Sequence, residues 1–395
     1  MLSLRQLFLE HVAQTSESPL LLEIERAEGV YLFGPDGKRY VDLISGVSVS
    51  NVGHCHPRVI EAVNNQVSKY MHLMVYGEFI QYPQVRFAQK LTSLLPESLD
   101  NVYFVNSGSE AVEGALKLAK RFTGRSEIVS FKNAYHGSTH GALSIMGDEE
   151  PKRAFRPLLP DIKQIRFNSI PDLEEISNKT ACVIIEPIQG EAGIISPKNN
   201  YLKKLRERCD QTSALLVFDE IQTGLGRTGK MFAFQKYEVV PDILLLAKAI
   251  GGGMPLGAFI SSKEIMSCLS YDPPLGHITT FGGHPVSCAA ALASLDVLID
   301  EKLIDSVDAK AQIFINKLSM HPKVKSIRAD GLFMAVEIES FQKILMLMKS
   351  ALNNGVVLDW FLFCNTAFRI SPPLCITAKE CEVAADLLIK SLDAI

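Results

Sequence analysis

Four polar groups in this sequence stand where an apolar run stops, and their types suggest a common chemistry. Lys248 closes the run 242–247, Asp-Ile-Leu-Leu-Leu-Ala, and is followed by Ala249-Ile250 and three glycines, Gly251 to Gly253. Such a run reads as a buried parallel strand delivering an amine, a candidate nucleophile, to the mouth of a crevice. Taken alone, the stretch fits equally well a lysine that marks the solvent end of a strand. Asn106-Ser107-Gly108-Ser109-Glu110 follows a second apolar run and opens a segment of helical spacing. Free N–H groups and serine hydroxyls at a helix start suit an anion such as phosphate, while a serine cap with Glu110 complementing the dipole explains the same residues. Asp219 ends the very apolar run 214–218, where an ionised carboxylate needs a cationic partner, either a protonated pyridine nitrogen or an arginine. Glu186 ends a fourth run.

The elements that must position these groups alternate from about residue 100 onward. Segments 102–105, 128–131, 181–185, 214–218, 243–247 and 257–261 read as strands separated by helical patterns, which argues for a doubly wound, mainly parallel α/β sheet. Ligands of such sheets bind outside the carboxyl ends of the strands, so the four polar groups are expected to converge. After about residue 290 the pattern changes to helices at 289–304 and 309–318, a segment 327–336, another helix, an apolar stretch around Phe368-Arg369-Ile370 and a final helix from Ala378. This reads as a smaller α+β domain, completed by an N-terminal hairpin of 29–33 and 40–43 turning at Asp36-Gly37. The pair His54-Cys55-His56 has no further ligand at metal spacing, and Pro57 suits a helix start, so no metal site is expected.

Bulk properties narrow the function class. The 395 residues suffice for one large and one smaller domain, and 47% hydrophobic, 21% charged residues with a net charge of -4 give no basic or membrane-seeking surface. Partners in nucleic acid or membrane are therefore not expected. Eight irregularly spaced cysteines with no Cys-x-x-Cys pair read as free thiols of a reducing compartment. The first residues lack a signal-peptide pattern, no apolar run reaches membrane-helix length, and a cytoplasmic location is the expectation.

The set Asn106-Ser-Gly-Ser-Glu-Ala, Ala134-Tyr135-His136-Gly137, Glu186-Pro-Ile-Gln-Gly-Glu191-Ala-Gly, Asp219-Glu-Ile-Gln222-Thr-Gly, Lys248 and Thr279-Thr280-Phe281-Gly282-Gly283 resembles the class III, pyridoxal-phosphate-dependent aminotransferases. These include the acetylornithine, ornithine and 4-aminobutyrate enzymes. The resemblance runs from Gly53 to Pro373 and rests on the order and spacing of the motifs together. It implies the type I α/β fold of such transferases, with residues 51–290 as the large cofactor-binding domain, 291–395 as the small domain, and 1–50 contributing to the latter.

What it implies for single residues follows the same motifs. Lys248 would carry the cofactor through its aldehyde, which requires an amine pKa below its usual value of about 10.4. Asp219 would keep the pyridine nitrogen protonated, Gln222 would bond the ring phenol oxygen and Tyr135 would stack on the ring. Ser107, Gly108 and Ser109 would hold the phosphate, Thr280 would reach the phosphate in the neighbouring subunit of a homodimer, and His136, Glu186 and Ile221 complete the cofactor set. A ping-pong transaminase follows, taking nitrogen from an amine donor to a 2-keto acid.

Four positions bear on substrate. Arg369 matches the arginine that grips the keto acid's α-carboxylate, and Glu191 the glutamate that pairs with it while an ω-amino donor is bound. Where the family usually carries an arginine for the far carboxylate of 2-oxoglutarate, this chain has Ser138, and Val47 replaces the tyrosine of ornithine aminotransferase. The expected donor is an amine or ω-amino acid, with an acetylornithine-aminotransferase-like reaction or an ω-amine or 4-aminobutyrate:pyruvate one. An aminomutase on the same fold would use the same lysine and aspartate without needing a keto-acid clamp.

Overall fold

The protein is described from a computed structural model covering residues 2–75 and 77–395. After a helix at Leu4–His11 come three short strands: β1 (Arg26–Glu28), β2 (Tyr31–Phe33) and β3 (Arg39–Asp42). They pair antiparallel as a meander, with the turn between β2 and β3 at Asp36-Gly37 as expected.

The chain then lays down seven strands of one sheet: β4 (Asn101–Val105), β5 (Glu127–Phe131), β6 (Ile162–Ile165), β7 (Thr180–Ile185), β8 (Leu215–Asp219), β9 (Ile243–Leu246) and β10 (Gly257–Ser261). Their spatial order is β4-β10-β9-β8-β7-β5-β6. All pairs are parallel except those of β10, which runs antiparallel to both β9 and β4. Every residue of β7, β8 and β9 is buried, because helices cover both faces, and this is why those strands read as unbroken apolar runs. The edge strand β6, Ile-Lys-Gln-Ile, was not anticipated; half-exposed and half-polar, it lacks that signature.

The helix Gly108–Thr123 packs on the sheet through Ala111, Val112, Ala115, Leu116, Leu118 and Ala119, spaced three and four apart. Gly114 is its point of closest approach, since a Cβ there would lie 2.3 Å from Cε1 of Phe259 on β10. Helix Pro285–Asp300 starts four residues earlier than its expected bounds, with Pro285 in the first turn, and a separate 3-10 turn, Leu303–Ser306, follows Lys302 at φ 52°. His56 caps Pro57–Val67 by accepting the Arg58 N–H, so the His-x-His stretch does serve as a helix start.

The remaining strands are β11 (Ser326–Ala329), β12 (Met334–Glu337), β13 (Val356–Val357), β14 (Asp359–Phe361) and β15 (Cys364–Ile370). Four form an antiparallel sheet in the order β11-β12-β15-β14, while β13 leaves it to pair in parallel with β3. Helices Val307–Leu318, Phe341–Asn353 and Ala378–Asp393 cover these sheets, the last closed at its start by a reciprocal Thr377–Glu380 cap. Fully buried Arg227 fastens the parts together: it donates to the carbonyls of Leu332 and Pro372 at 3.1 and 2.6 Å, and to Asn51 Oδ1 and Ser45 Oγ at 2.5 and 3.3 Å. No helix among the described residues is long and apolar enough to cross a membrane.

Candidate active site

The four polar strand ends meet. A cavity of about 380 Å³ is walled by Asn106 and Ser107 after β4, Glu186 after β7, Asp219 closing β8, and Lys248 after β9. Parallel strands β4, β7, β8 and β9 present their carboxyl ends on the same side, which is why residues so far apart in sequence share it.

Lys248 is the first residue of a 3-10 turn and holds φ 52°, a left-handed conformation that swings the chain out of β9 one residue before the expected strand end. Burial lowers its amine pKa to about 8, aided by the charge of Arg369 and opposed by Glu191, Asp219 and Glu186.

Asp219 is buried, and among the described residues its carboxylate pairs with His136 rather than with an arginine. Oδ2 lies 2.7 Å from His136 Nδ1, and Oδ1 accepts the Ile221 N–H at 3.1 Å. Burial works against charge on His136, but the hydrogen bond and charge of Asp219, with Glu186 nearby, outweigh it and raise the imidazole pKa. Glu186 accepts the N–H groups of Tyr135 and Gly190 at 3.1 and 3.0 Å, and burial pushes its pKa up to about 7.

At the helix start, the Glu110 N–H bonds to Ser107 Oγ and the Ala111 N–H to the Ser107 carbonyl, while Gly108 and Ser109 stand at the cavity wall. Glu110 does more than complement the helix dipole: its Oε2 takes both N–H and Nδ2 of Asn106, at 2.7 and 2.8 Å. A Cβ on Gly108 would come within 2.9 Å of Ile221 Cδ1, so the smallest residue keeps this wall open.

Beside half-buried Gln222 lie the buried Glu191 and Arg369. Glu191 Oε1 accepts from Arg369 Nη2 at 2.7 Å and from Gln222 Nε2 at 3.1 Å. Burial alone would raise the Glu191 pKa; Arg369 and Lys248 reverse that and hold it low. Arg369 is 1% exposed and stacks 4.7 Å from the Phe361 ring centroid, yet its Nε and Nη1 have no hydrogen-bond partner among the described residues.

The structure thus gathers Ser107, Gly108, Ser109, Tyr135, His136, Glu186, Asp219, Ile221, Gln222 and Lys248 at one cavity, with Glu191 and Arg369 in contact through Gln222. Three expected residues lie elsewhere. Thr280 is exposed and does not line the cavity of its own chain; Ser138 is exposed and lines a neighbouring chamber; Val47 is set back, and Val49 takes the place on the wall. Residues 45–48 all have positive φ, a left-handed turn that no hydrophobic periodicity announces. His136 sits behind Asp219, a contact spanning 83 residues of sequence.

The arrangement fits the pyridoxal phosphate implied by the sequence. Gln222 Oε1 is buried and has no partner within the described residues, Asp219 offers a buried carboxylate, and the helix start beside Gly108 offers donors to an anion. An amine of lowered pKa facing these groups can attack an aldehyde and exchange protons near neutrality.

Comparison with known proteins agrees. The family model for class-III aminotransferases matches residues 12–392. The acetylornithine aminotransferase of Methanocaldococcus jannaschii is 40% identical over 381 residues, covering 93% of this chain and 92% of that protein. Its counterpart from Clostridium acetobutylicum is 37% identical over 391 residues, covering 93% and 95%. The ornithine aminotransferase structure from Toxoplasma gondii, reported with partial occupancy of pyridoxal phosphate at its active site, superimposes with a TM-score of 0.91 at 32% identity, over 98% of this chain and 93% of that one.

Proposed function

The chain belongs to the class-III aminotransferases, and from that premise we propose how its residues divide the work. It is an acetylornithine-aminotransferase-like transaminase that uses pyridoxal phosphate to move an amino group from an amine or ω-amino acid to a 2-keto acid. When bound, the cofactor supplies an electron-withdrawing ring that spreads the negative charge developing at the substrate carbon.

The protein's share is positioning and proton transfer. The Lys248 amine would remove a proton at the substrate carbon and return it elsewhere, a task suited to a pKa near 8. Asp219, steadied by His136, would set its carboxylate against the ring nitrogen and keep that nitrogen protonated. Tyr135 would cover the ring, Gln222 would bond its phenol oxygen, and Ser107, Gly108 and Ser109 would hold the phosphate, a division supported by their place on one cavity wall. Arg369 takes the keto acid's carboxylate with the donors left free in this chain, and Glu191 neutralises the guanidinium while an amine donor occupies the site. The observation that carries this reading is the convergence of Lys248, Asp219 and Ser107 on one cavity.

A second reading, an ω-amine:pyruvate enzyme, is favoured by Ser138, which stands exposed where a second carboxylate clamp is expected. The test is to react holoenzyme with a donor amine, then follow the bound cofactor's visible absorbance on adding pyruvate or 2-oxoglutarate separately. Recovery with 2-oxoglutarate supports the acetylornithine-like acceptor; recovery with pyruvate alone supports the second reading; no response to any donor overturns both.

The enzyme works as a homodimer in this reading, with Thr280 completing the neighbouring copy's phosphate site. Exposed apolar side chains at Met71, Phe79, Ile80, Tyr82 and Phe281 support it. We take residues 1–50 and 291–395 as one small domain against 51–290, supported by the pairing of β3 with β13. Eight free cysteines support a cytoplasmic setting, and the likeness to acetylornithine aminotransferases supports a place in amino acid metabolism.

A further inference from the structure

We propose that a second chamber, adjoining the cofactor cavity at Tyr135, receives an uncharged aliphatic or aromatic tail of the amine donor. This rests on the transaminase reading and narrows its substrate class. The chamber holds about 390 Å³, within the range of small-ligand pockets, and Tyr135 belongs to both walls. Its other walls are mainly apolar: Leu143, Met146, Phe155, Leu362 and Phe363.

The polar groups that reach it are few, and two of them are already engaged. His140 Nε2 bonds the Pro157 carbonyl at 2.8 Å. Ser138 donates its N–H to Ser109 Oγ at 3.3 Å. No lysine or arginine lines the chamber among the described residues. Three cations stand on the segment that forms its rim, outside the lining: Lys152 and Arg156 pair with Glu149, Lys152 at 3.5 Å, and Arg153 is exposed. A far carboxylate buried among these lining residues would lose its hydration with no lining cation in return, whereas an alkyl or aryl group would gain from burial.

Two features tie the chamber to the reacting centre rather than to an unrelated ligand. Leu362 donates its N–H to Glu191 Oε2 at 3.1 Å, and Phe363 donates to the Glu191 carbonyl at 3.0 Å. The chamber wall is therefore fastened to the residue that holds Arg369. Phe155 and Leu362 stand 58% and 59% exposed at its mouth, apolar surface that a donor tail would cover.

The experiment is a donor-length series on holoenzyme, from propylamine to heptylamine, with 5-aminopentanoate as a donor of charged far end and N-acetylornithine as reference. Loss of the bound cofactor's visible absorbance is the readout. Each added methylene is expected to raise kcat/KM about 3- to 4-fold, the factor that burial of one methylene confers. Hexylamine should outrun 5-aminopentanoate by at least tenfold. Phe155→Asp, at an exposed position, should cut the hexylamine-to-propylamine ratio of kcat/KM tenfold or more. A flat series, a preference for 5-aminopentanoate, or an unchanged ratio in F155D overturns the chamber assignment while leaving the transaminase reading intact. Failure of every donor, N-acetylornithine included, overturns both.

Discussion

Arg369 and Gln222 meet on a single oxygen, Glu191 Oε1, at 2.7 and 3.1 Å. The guanidinium is thus half-satisfied in a fully buried setting, with Nε and Nη1 unbonded among the described residues. Arg369→Lys keeps the charge beside Glu191 but loses the planar fork. The expected result is a rise in keto-acid KM of about 10- to 100-fold, corresponding to the ~1.5–3 kcal/mol of a charge-assisted hydrogen bond. The amine half-reaction should change far less, and equal losses in both half-reactions would contradict a role in keto-acid recognition.

Lys248→Ala removes the amine that faces Asp219 and Glu191 across the cavity. Turnover should vanish while pyridoxal phosphate still binds through its phosphate, measured by equilibrium dialysis. Residual turnover near the wild-type rate would remove Lys248 from the chemistry.

The lowered pKa of Lys248 gives a pH dependence with a definite sign. Only the unprotonated amine attacks the cofactor aldehyde, and burial lets the proton leave at about 8 rather than at the ordinary 10.5. Reconstitution of apoenzyme should therefore speed up as pH rises, reach half its limit near pH 8, and level off above that. A rate still climbing steeply beyond pH 9.5 would show an amine with unshifted pKa.

Gly114→Ala places a methyl group 2.3 Å from the Phe259 ring, with β10 behind it. The helix would gain propensity, but overpacking is expected to dominate and cost about 1–3 kcal/mol. Thermal unfolding of the apoprotein measures it, and a raised Tm would mean that Phe259 can move aside.

Val47 carries a β-branched side chain at φ 61°, within the left-handed turn that also includes Ser45 and Ser48. Val47→Gly should stabilise the apoprotein by about 1 kcal/mol through relief of that strain, partly offset by unfolded-state entropy. Chemical denaturation would register the change.

The convergence of the site was legible because each central strand buries both faces: β7, β8 and β9 are apolar until the sheet ends, so Glu186, Asp219 and Lys248 stand out as the first polar residues beyond or at those ends. What escaped has physical reasons too. The antiparallel direction of β10 leaves no mark in Gly-Ala-Phe-Ile-Ser, because both faces are buried either way. The half-polar edge strand β6 lacks a run to notice. Val49 rather than Val47 reaches the cavity because four successive residues with positive φ break any period of two or 3.6. The bond from His136 to Asp219 and the four-way grip of Arg227 join distant segments, and the sequence shows only that such residues must find partners if buried.

The parallel seam between β3 and β13 has a consequence for synthesis on the ribosome. Lys38, beside β3, donates to the carbonyl of Leu352, 314 residues further along. At translation speeds of 5–20 residues per second, the β1-β2-β3 meander waits roughly 15 to 60 s with one edge unpaired before β13 can dock. These strands are among the first made and among the last closed. Nascent chains stalled before residue 350 should offer the β3 edge to chaperones, proteases or a second stalled chain.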